Sequence, residues 1–201
     1  MIKLNIGCGK DLRLDYVNID CYTREEILER YPGCVMTEII DIFNYDVFHL
    51  PYVDGTVDEV YANSFLEHLS FKEEKKFLYE VRRVLKRGGL FIFSVPDFED
   101  AVFKWLKAKD EWKEFYRDDE VAVRKNHWFG QYSYSMDNRW GYLTACLYGT
   151  QNGKGQFHKN CYTQEKIKAM MDVLVFRIEE LSFYYWKGDK DKMILVRAVK
   201  P

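Results

Sequence analysis

The sequence predicts an α/β fold built on a doubly wound, mostly parallel sheet, and two observations carry this prediction. Short apolar runs that suit strands alternate with segments of helical periodicity over the first hundred residues, which is the pattern of parallel strands joined by crossover helices. The run Leu90–Val95 is almost continuously apolar, as expected of a strand covered on both faces.

The strand-like runs in the first part of the chain each end at a glycine or a polar residue. These runs are Ile2–Ile6 before Gly7, Tyr16–Ile19 before Asp20, Val35–Ile40 before Asp41, and Val57–Ala62 before Asn63. In open α/β sheets, ligands bind at the carboxyl ends of the strands. We therefore expect these chain positions to face a common ligand.

Two helices are predicted from capping boxes, in which a hydroxyl side chain and a glutamate three residues later satisfy each other's backbone donors. Thr23 with Glu26 begins a helix that stops at Pro32–Gly33. Ser70 with Glu73 begins a longer helix, for which the glycine pair 88–89 is the predicted stop.

The regular alternation ends after Asp97. A helix is predicted over Glu99–Tyr116, followed by an irregular aromatic segment to residue 160, and four of the five tryptophans lie in residues 98–148. We interpret 98–162 as an inserted lid that shapes an acceptor pocket, although the same aromatics could form a satellite core. A helix after Thr163 and an antiparallel hairpin of Arg177–Trp186 with Met193–Val199 are predicted to complete one domain over residues 1–201.

Composition excludes several classes of protein. The 201 residues carry 30 Lys and Arg against 32 Asp and Glu, which argues against a nucleic-acid binder. Apolar runs are far shorter than a membrane span, and no leader is expected before the first strand. Five cysteines without a C-x-x-C pair predict free thiols and no metal site. The sequence thus predicts a cytoplasmic protein without nucleic-acid or membrane partners.

The turn after the first strand is the first chemical signal. Leu4–Gly9 reads as a strand that enters a Gly-x-Gly turn, whose glycines allow a ligand close to the backbone. A dinucleotide-binding loop would need a third glycine where the chain has Leu12, so a nicotinamide-dependent dehydrogenase is disfavoured. Asp20 is placed to accept both hydroxyls of a ribose, and Asp41 could accept an adenine amino group.

Taken together, these motifs resemble the class I S-adenosylmethionine-dependent methyltransferases. The matching stretches are Leu4–Gly9, Tyr16–Asp20, His49–Val60, Phe65–Leu69 and Glu80–Asp97. The resemblance implies a Rossmann-like, seven-stranded sheet and S-adenosyl-L-methionine as the cofactor.

The resemblance also implies roles for individual residues. Gly7, Cys8 and Gly9 would lie against the methionyl part of the cofactor, and Asn63 would face the methionyl or methyl region. Asp20, with Cys21 beside it, would hold the ribose, and Asp41 and Ile42 would flank the adenine. The chain departs from many relatives in two ways: the segment from Gly9 to Tyr16 is too short for a helix, and Asp46 competes with Asp41 for the adenine.

Methyl transfer needs positioning of the two reactants, and a base if the acceptor is a hydroxyl. The candidate bases are His68, His158 and His127, of which His68 and His158 are the first and second choices. As alternatives, the His68 ring could be hydrogen-bonded to backbone, and His158 could be an exposed loop residue. A small-molecule acceptor is favoured, with O-methylation of a sugar or secondary metabolite as the first choice. A nicotinamide-dependent oxidoreductase and a catalytically silent cofactor-binding or scaffold protein remain as alternatives.

Overall fold

The structure is a computed structural model that describes residues 1–31, 40–107, 146–149, 155–186 and 191–201. The strands in this part of the chain are β1 (Lys3–Ile6), β2 (Val17–Ile19), β3 (Ile42–Phe43), β4 (Val57–Asn63), β5 (Leu85–Pro96), β6 (Arg177–Trp186) and β7 (Asp191–Val199). They form one seven-stranded sheet in the order β3-β2-β1-β4-β5-β7-β6. Every neighbouring pair is parallel except the two pairs made by β7, which is antiparallel to β5 and β6. The predicted fold class is confirmed.

The α-helices whose bounds lie within the described ranges are α1 (Arg24–Arg30), α2 (Phe71–Val84), α3 (Phe98–Lys107) and α4 (Gln164–Val173). Both predicted capping boxes are present, at Thr23 for α1 and at Ser70 for α2. The predicted start of α4 is confirmed as well, because the Thr163 side chain accepts a hydrogen bond from the backbone of Lys166. No helix in the described ranges is both long and apolar enough to cross a bilayer.

The core lies between the sheet and the buried faces of the helices. On β1, β4 and β5 the buried apolar residues include Leu4, Ile6, Val60, Ala62, Phe91 and Phe93. Helix α2 buries Phe77, Val81 and Val84, which recur at helical spacing and cover one face of the sheet. This packing holds the carboxyl ends of β1, β2, β3 and β4 along one edge of the sheet.

The end of α2 differs from the prediction. The helix ends at Val84, and Leu85 is already extended and paired with Val57 on β4. The register then shifts before the ladder resumes at Leu90, and the positive φ of Gly88 (74°) belongs to this irregular stretch. The glycine pair therefore shapes a bulge in β5, because strand pairing captures Leu85 before a glycine cap is needed.

The third strand is also placed differently. β3 is Ile42–Phe43, paired with Asn18 and Ile19 of β2, so Asp41 precedes the strand instead of following it. Most of the predicted strand Val35–Ile40 lies outside the described residues, as does Pro32–Gly33. The same holds for the larger part of the predicted lid, of which α3, 146–149 and 155–162 are described.

Candidate functional site

The turn between β1 and the following loop is fixed by the end of β2. The backbone N–H groups of Gly7 and Cys8 both donate to the carbonyl oxygen of Ile19, at 2.8 and 3.1 Å. Gly7 and Gly9 have positive φ values of 64° and 47°, which L side chains rarely adopt. A Cβ on Gly7 would lie 2.5 Å from Cδ2 of Phe65, whereas a Cβ on Gly9 would meet no atom of the described residues within 4 Å. Glycine is required at position 7 by both conformation and space, and at position 9 by conformation alone.

Asp20 joins this turn to the carboxyl end of β2. Its side chain is buried (8% exposed), Oδ2 accepts from the Gly9 N–H at 2.8 Å, and Oδ1 accepts from the Tyr22 N–H at 3.0 Å. Each carboxylate oxygen has two lone pairs, so the group retains acceptor capacity for the hydroxyls of a ligand. The predicted juxtaposition of the glycine turn and Asp20 is therefore present.

The two cysteines at this edge are thiols. Burial, followed by the charge of Asp20, raises the pKa of Cys8 to about 12. Burial is also the largest cause that raises the pKa of Cys21 above its ordinary value. A neutral thiol is a weak nucleophile, so these pKa shifts disfavour covalent catalysis by either cysteine.

The short loop from residue 10 to residue 15 contains no helix, in agreement with its length. Two buried amides organise it instead. Asn18 Oδ1 accepts from Asn5 Nδ2 at 2.8 Å and from the Arg13 N–H at 3.0 Å. Asn18 Nδ2 donates to the carbonyl oxygens of Arg13 and Tyr16 at 3.0 and 3.2 Å. The loop that borders the glycine turn is thus anchored by one side chain of β2.

The carboxyl end of β3 lies beside that of β2. The Asp20 N–H donates to the Phe43 carbonyl oxygen at 3.1 Å, and Asn44 Nδ2 donates to the Cys21 carbonyl oxygen at 3.1 Å. The rings of Phe43 and Tyr45 stack at this end of the strand, with centroids 5.3 Å apart. The sequence analysis did not predict these residues, because their position at the carboxyl end of a strand follows only from the placement of β3 at Ile42–Phe43.

Asp41 does not occupy the position predicted for it. It is exposed and stands before β3, whereas Ile42 is half-buried within the strand. Asp46 follows the strand on the side of Asp20 and accepts from the Phe48 N–H and from His49 Nδ1, both at 2.9 Å. The hydrogen bond from His49 lowers the pKa of Asp46. Of the two aspartates, Asp46 follows the carboxyl end of β3.

Asn63, the last residue of β4, belongs to a polar cluster across three strands. Its Oδ1 accepts from the Ser94 hydroxyl of β5 and from the Tyr184 hydroxyl of β6, the latter at 3.3 Å. The Tyr184 hydroxyl also lies 3.1 Å from Ser94 Oγ. These contacts orient the Asn63 amide, so that its Nδ2 is the atom left to donate toward a ligand. Ser94 and Tyr184 were not predicted, because each lies within an otherwise ordinary strand pattern.

The two candidate histidines, which lie far apart in the sequence, are neighbours in the structure. His68 ends a 3-10 helix, Leu66–His68, and its ring centroid is 4.9 Å from that of His158. His68 Nδ1 lies 3.1 Å from the Phe157 carbonyl oxygen, and His158 Nδ1 lies 2.8 Å from the Cys146 carbonyl oxygen. Burial, and secondarily the charge of His158, lowers the pKa of His68 to about 4. Both rings are thus bound to backbone, and His127 lies outside the described residues.

The first half of the chain also matches known proteins. Residues 4–93 match the methyltransferase domain family. One curated relative is named a probable S-adenosylmethionine-dependent methyltransferase of Mycolicibacterium smegmatis; it is 30% identical over 104 residues, which cover 47% of this chain and 37% of that protein. Matches of this kind span about a third of the length of the curated relatives.

Solved methyltransferase structures resemble the chain over nearly all of its length. The S-adenosylmethionine-dependent methyltransferase of Methanosarcina mazei is 18% identical, with a TM-score of 0.60 over 98% of this chain and 91% of that chain. The 1,6-didemethyltoxoflavin-N1-methyltransferase of Burkholderia thailandensis, solved with bound 1,6-didemethyltoxoflavin and S-adenosylhomocysteine, is 12% identical, with a TM-score of 0.58 over 99% of this chain and 70% of that chain. At these identities the likeness establishes the fold alone, a Rossmann-like α/β fold.

Proposed function

We propose that this protein is an S-adenosylmethionine-dependent methyltransferase that acts on a small molecule. The observation that carries the proposal is the arrangement of Asp20, whose buried carboxylate is bonded to the turn Gly7–Gly9 at the shared edge of the sheet. The family match over residues 4–93 covers this region and supports the same activity.

The proposed cofactor site extends from this carboxylate in both directions. Gly7, Cys8 and Gly9 would approach the methionyl part, and Asn63 would donate toward it through Nδ2. Asp20 would accept the ribose hydroxyls, with Cys21 beside it. Such a site needs no phosphate loop, because S-adenosylmethionine carries a sulfonium and an amino-acid group but no phosphate.

On the adenine side, the placement of β3 favours Asp46 over Asp41, together with the stacked rings of Phe43 and Tyr45. An adenine ring could pack against aromatic faces there while a carboxylate accepts its amino group. Ile42 would contribute apolar contact from the strand itself.

The acceptor is proposed to be a small hydroxyl compound, with His68 and His158 on the acceptor side. The neighbour from Burkholderia thailandensis is named an N1-methyltransferase of 1,6-didemethyltoxoflavin, which favours a small-molecule acceptor but names a nitrogen as the methylated atom. O-methylation of a sugar or secondary metabolite therefore remains our proposal from the two histidines alone.

Calorimetry with S-adenosylmethionine and S-adenosylhomocysteine tests the cofactor. We expect binding of both and none of NAD, since Leu12 stands where a dinucleotide loop has its third glycine. Asp20→Ala should weaken binding by about 1.5–3 kcal/mol, the worth of hydrogen bonds to a charged group. Asp15→Ala, which removes an exposed carboxylate from the same region, is the matched control and should bind as the parent does.

Two outcomes would contradict the proposal. Binding of NAD with no binding of S-adenosylhomocysteine would favour an oxidoreductase. Binding of S-adenosylmethionine without formation of S-adenosylhomocysteine, across a panel of small alcohols, phenols and sugars, would favour a silent cofactor-binding protein. A thermal unfolding curve for Asp20→Ala separates loss of the ligand contact from loss of the fold.

A further inference from the structure

The cluster formed by Glu67, His68 and His158 has the features of a site for a positive ion. One candidate ligand atom from each of the three side chains lies within 4.8 Å of the other two. We propose that these residues bind a divalent transition-metal ion of the zinc class. This site stands on its own contacts and does not depend on the cofactor proposal.

The backbone holds the three residues together. The N–H groups of Lys159 and Asn160 both donate to the Glu67 carbonyl oxygen, at 2.8 and 3.2 Å. The segment that carries His158 is therefore fixed directly against the 3-10 helix that carries the other two side chains. Such fixed backbone favours a constant spacing of the three ligand atoms.

The hydrogen bonds of the histidines determine which nitrogen can bind a metal. A carbonyl oxygen only accepts, so Nδ1 of His68 carries a hydrogen toward Phe157, and Nδ1 of His158 carries one toward Cys146. The lone pair of each neutral ring is then on Nε2. Metal-binding histidines commonly donate their other N–H to a carbonyl or carboxylate in this way, which fixes the ring and its tautomer.

Glu67 supplies the second, independent observation. Its side chain is 2% exposed, and within the described ranges no donor reaches its buried Oε2. Two basic side chains of the segment after His158 form ion pairs with other carboxylates, Lys159 with Glu73 and Lys166 with Glu74. A buried carboxylate oxygen without a hydrogen-bond partner is costly, and a bound cation would satisfy it.

The donor set selects the class of metal. Two imidazole nitrogens and one carboxylate oxygen suit zinc and neighbouring transition metals, whereas magnesium and calcium prefer oxygen ligands only. Ligands at about 2.1 Å from a tetrahedral zinc are about 3.4 Å apart, so ligand atoms within 4.8 Å of one another would close by at most about 1.4 Å on binding. A cavity of about 10 Å³ borders Glu67 and His158, and a volume of this order holds a single small species.

Three protein ligands leave one position open on a tetrahedral ion. Asn63, a proposed cofactor residue, ends the strand that leads into this 3-10 helix. If the proposed function holds, an acceptor hydroxyl in the open position would lose its proton more readily, because a Lewis acid lowers its pKa. In that case His68 and His158 would act through the ion instead of as bases.

Zinc binding to tag-free protein tests the proposal. After chelator treatment and addition of zinc, we expect one zinc per chain by elemental analysis and a raised melting temperature. Glu67→Gln, His68→Ala and His158→Ala should each weaken zinc binding at least a hundredfold in calorimetry. His49→Ala removes an exposed histidine that pairs with Asp46, and it should bind zinc as the parent does.

Further measurements distinguish the alternatives. The absorption spectrum of the cobalt-substituted protein should show ligand-field bands without a thiolate-to-metal charge-transfer band. A charge-transfer band would overturn the proposed ligands in favour of the cysteines that line the cavity. Zinc uptake that is the same in the parent and in all three ligand variants would also overturn it, as adventitious binding. Glu67→Gln keeps the volume and removes a buried charge, so it should fold. Absence of zinc binding while S-adenosylhomocysteine still binds would reject the metal site and leave the proposed function standing.

Discussion

Alanine at Gly7 probes the contact on which the proposed cofactor turn is built. The backbone at position 7 has φ of +64°, where a Cβ costs about 1–2 kcal/mol. The added methyl group would also lie 2.5 Å from the ring of Phe65, and that ring packs edge-on against Phe77 with centroids 5.0 Å apart. Overpacking of this kind costs about 1–3 kcal/mol more. We therefore expect Gly7→Ala to lower the free energy of unfolding by about 2–5 kcal/mol.

Gly9→Ala is the matched control, because its φ of +47° has a similar strain, but in the described part of the chain no atom lies within 4 Å of its Cβ. It should cost only about 1–2 kcal/mol. Urea unfolding measures both, and each kcal/mol should lower the melting temperature by roughly 2–4 °C. In the Gly7→Ala background, Phe65→Leu should recover part of the loss. Equal destabilisation by the two alanines, or no recovery from Phe65→Leu, would refute the argument that packing against Phe65 is what excludes a side chain at position 7.

Two further predictions concern Asn18 and Glu80, which form structural hydrogen bonds and are not proposed to contact a ligand. Asn18→Ala removes four hydrogen bonds from a buried amide and should lower the free energy of urea unfolding by about 2–4 kcal/mol. The control Asn44→Ala removes one bond from an exposed amide and should change it by no more than about 0.5 kcal/mol. Equal effects of the two variants would contradict the role of Asn18. Glu80 accepts hydrogen bonds from Arg83 and from the Leu50 N–H. These bonds, chiefly the one from Arg83, lower the pKa of Glu80 below its ordinary value of 4.5. The stabilisation from this ionised carboxylate is complete above pH 4.5 and is lost as the pH falls through the lower folded-state pKa. Glu80→Gln should therefore lower the free energy of unfolding by about 1–2 kcal/mol at pH 7 and by progressively less toward pH 3. Urea unfolding at each pH measures this difference. A cost that does not change with pH would contradict it.

The sequence was sufficient where the signal is local. The capping boxes at Thr23 and Ser70 follow from side chains three residues apart, and the glycine turn with Asp20 follows from the ends of two adjacent strands. The boundary errors arose where pairing between strands overrides local preference. Leu85 is drawn into the sheet before the glycine pair, and β3 forms where it can pair with Asn18 and Ile19.

The cluster around Glu67 shows a different limit. Its chemistry depends on a return segment that reaches the 3-10 helix from far along the chain, and on hydrogen bonds to backbone carbonyl groups. No spacing rule brings His158 next to His68, and an isolated glutamate in a sequence gives no sign that it will be buried without a partner. Sequence reasoning therefore found the two histidines as separate candidates but predicted no metal site.

The position of β7 has a consequence for how the chain folds during synthesis. β7 is made after β6 yet inserts between β5 and β6, pairing with β5 from Leu90 to Pro96. Until residues 191–199 leave the ribosome, one edge of β5 has no partner strand, and the bulge at Gly88 lacks its bond to Lys200. Exposed strand edges invite pairing with other chains. A nascent chain that stalls before residue 191 would thus present an open, largely apolar edge, and protection of this edge from aggregation depends on β7.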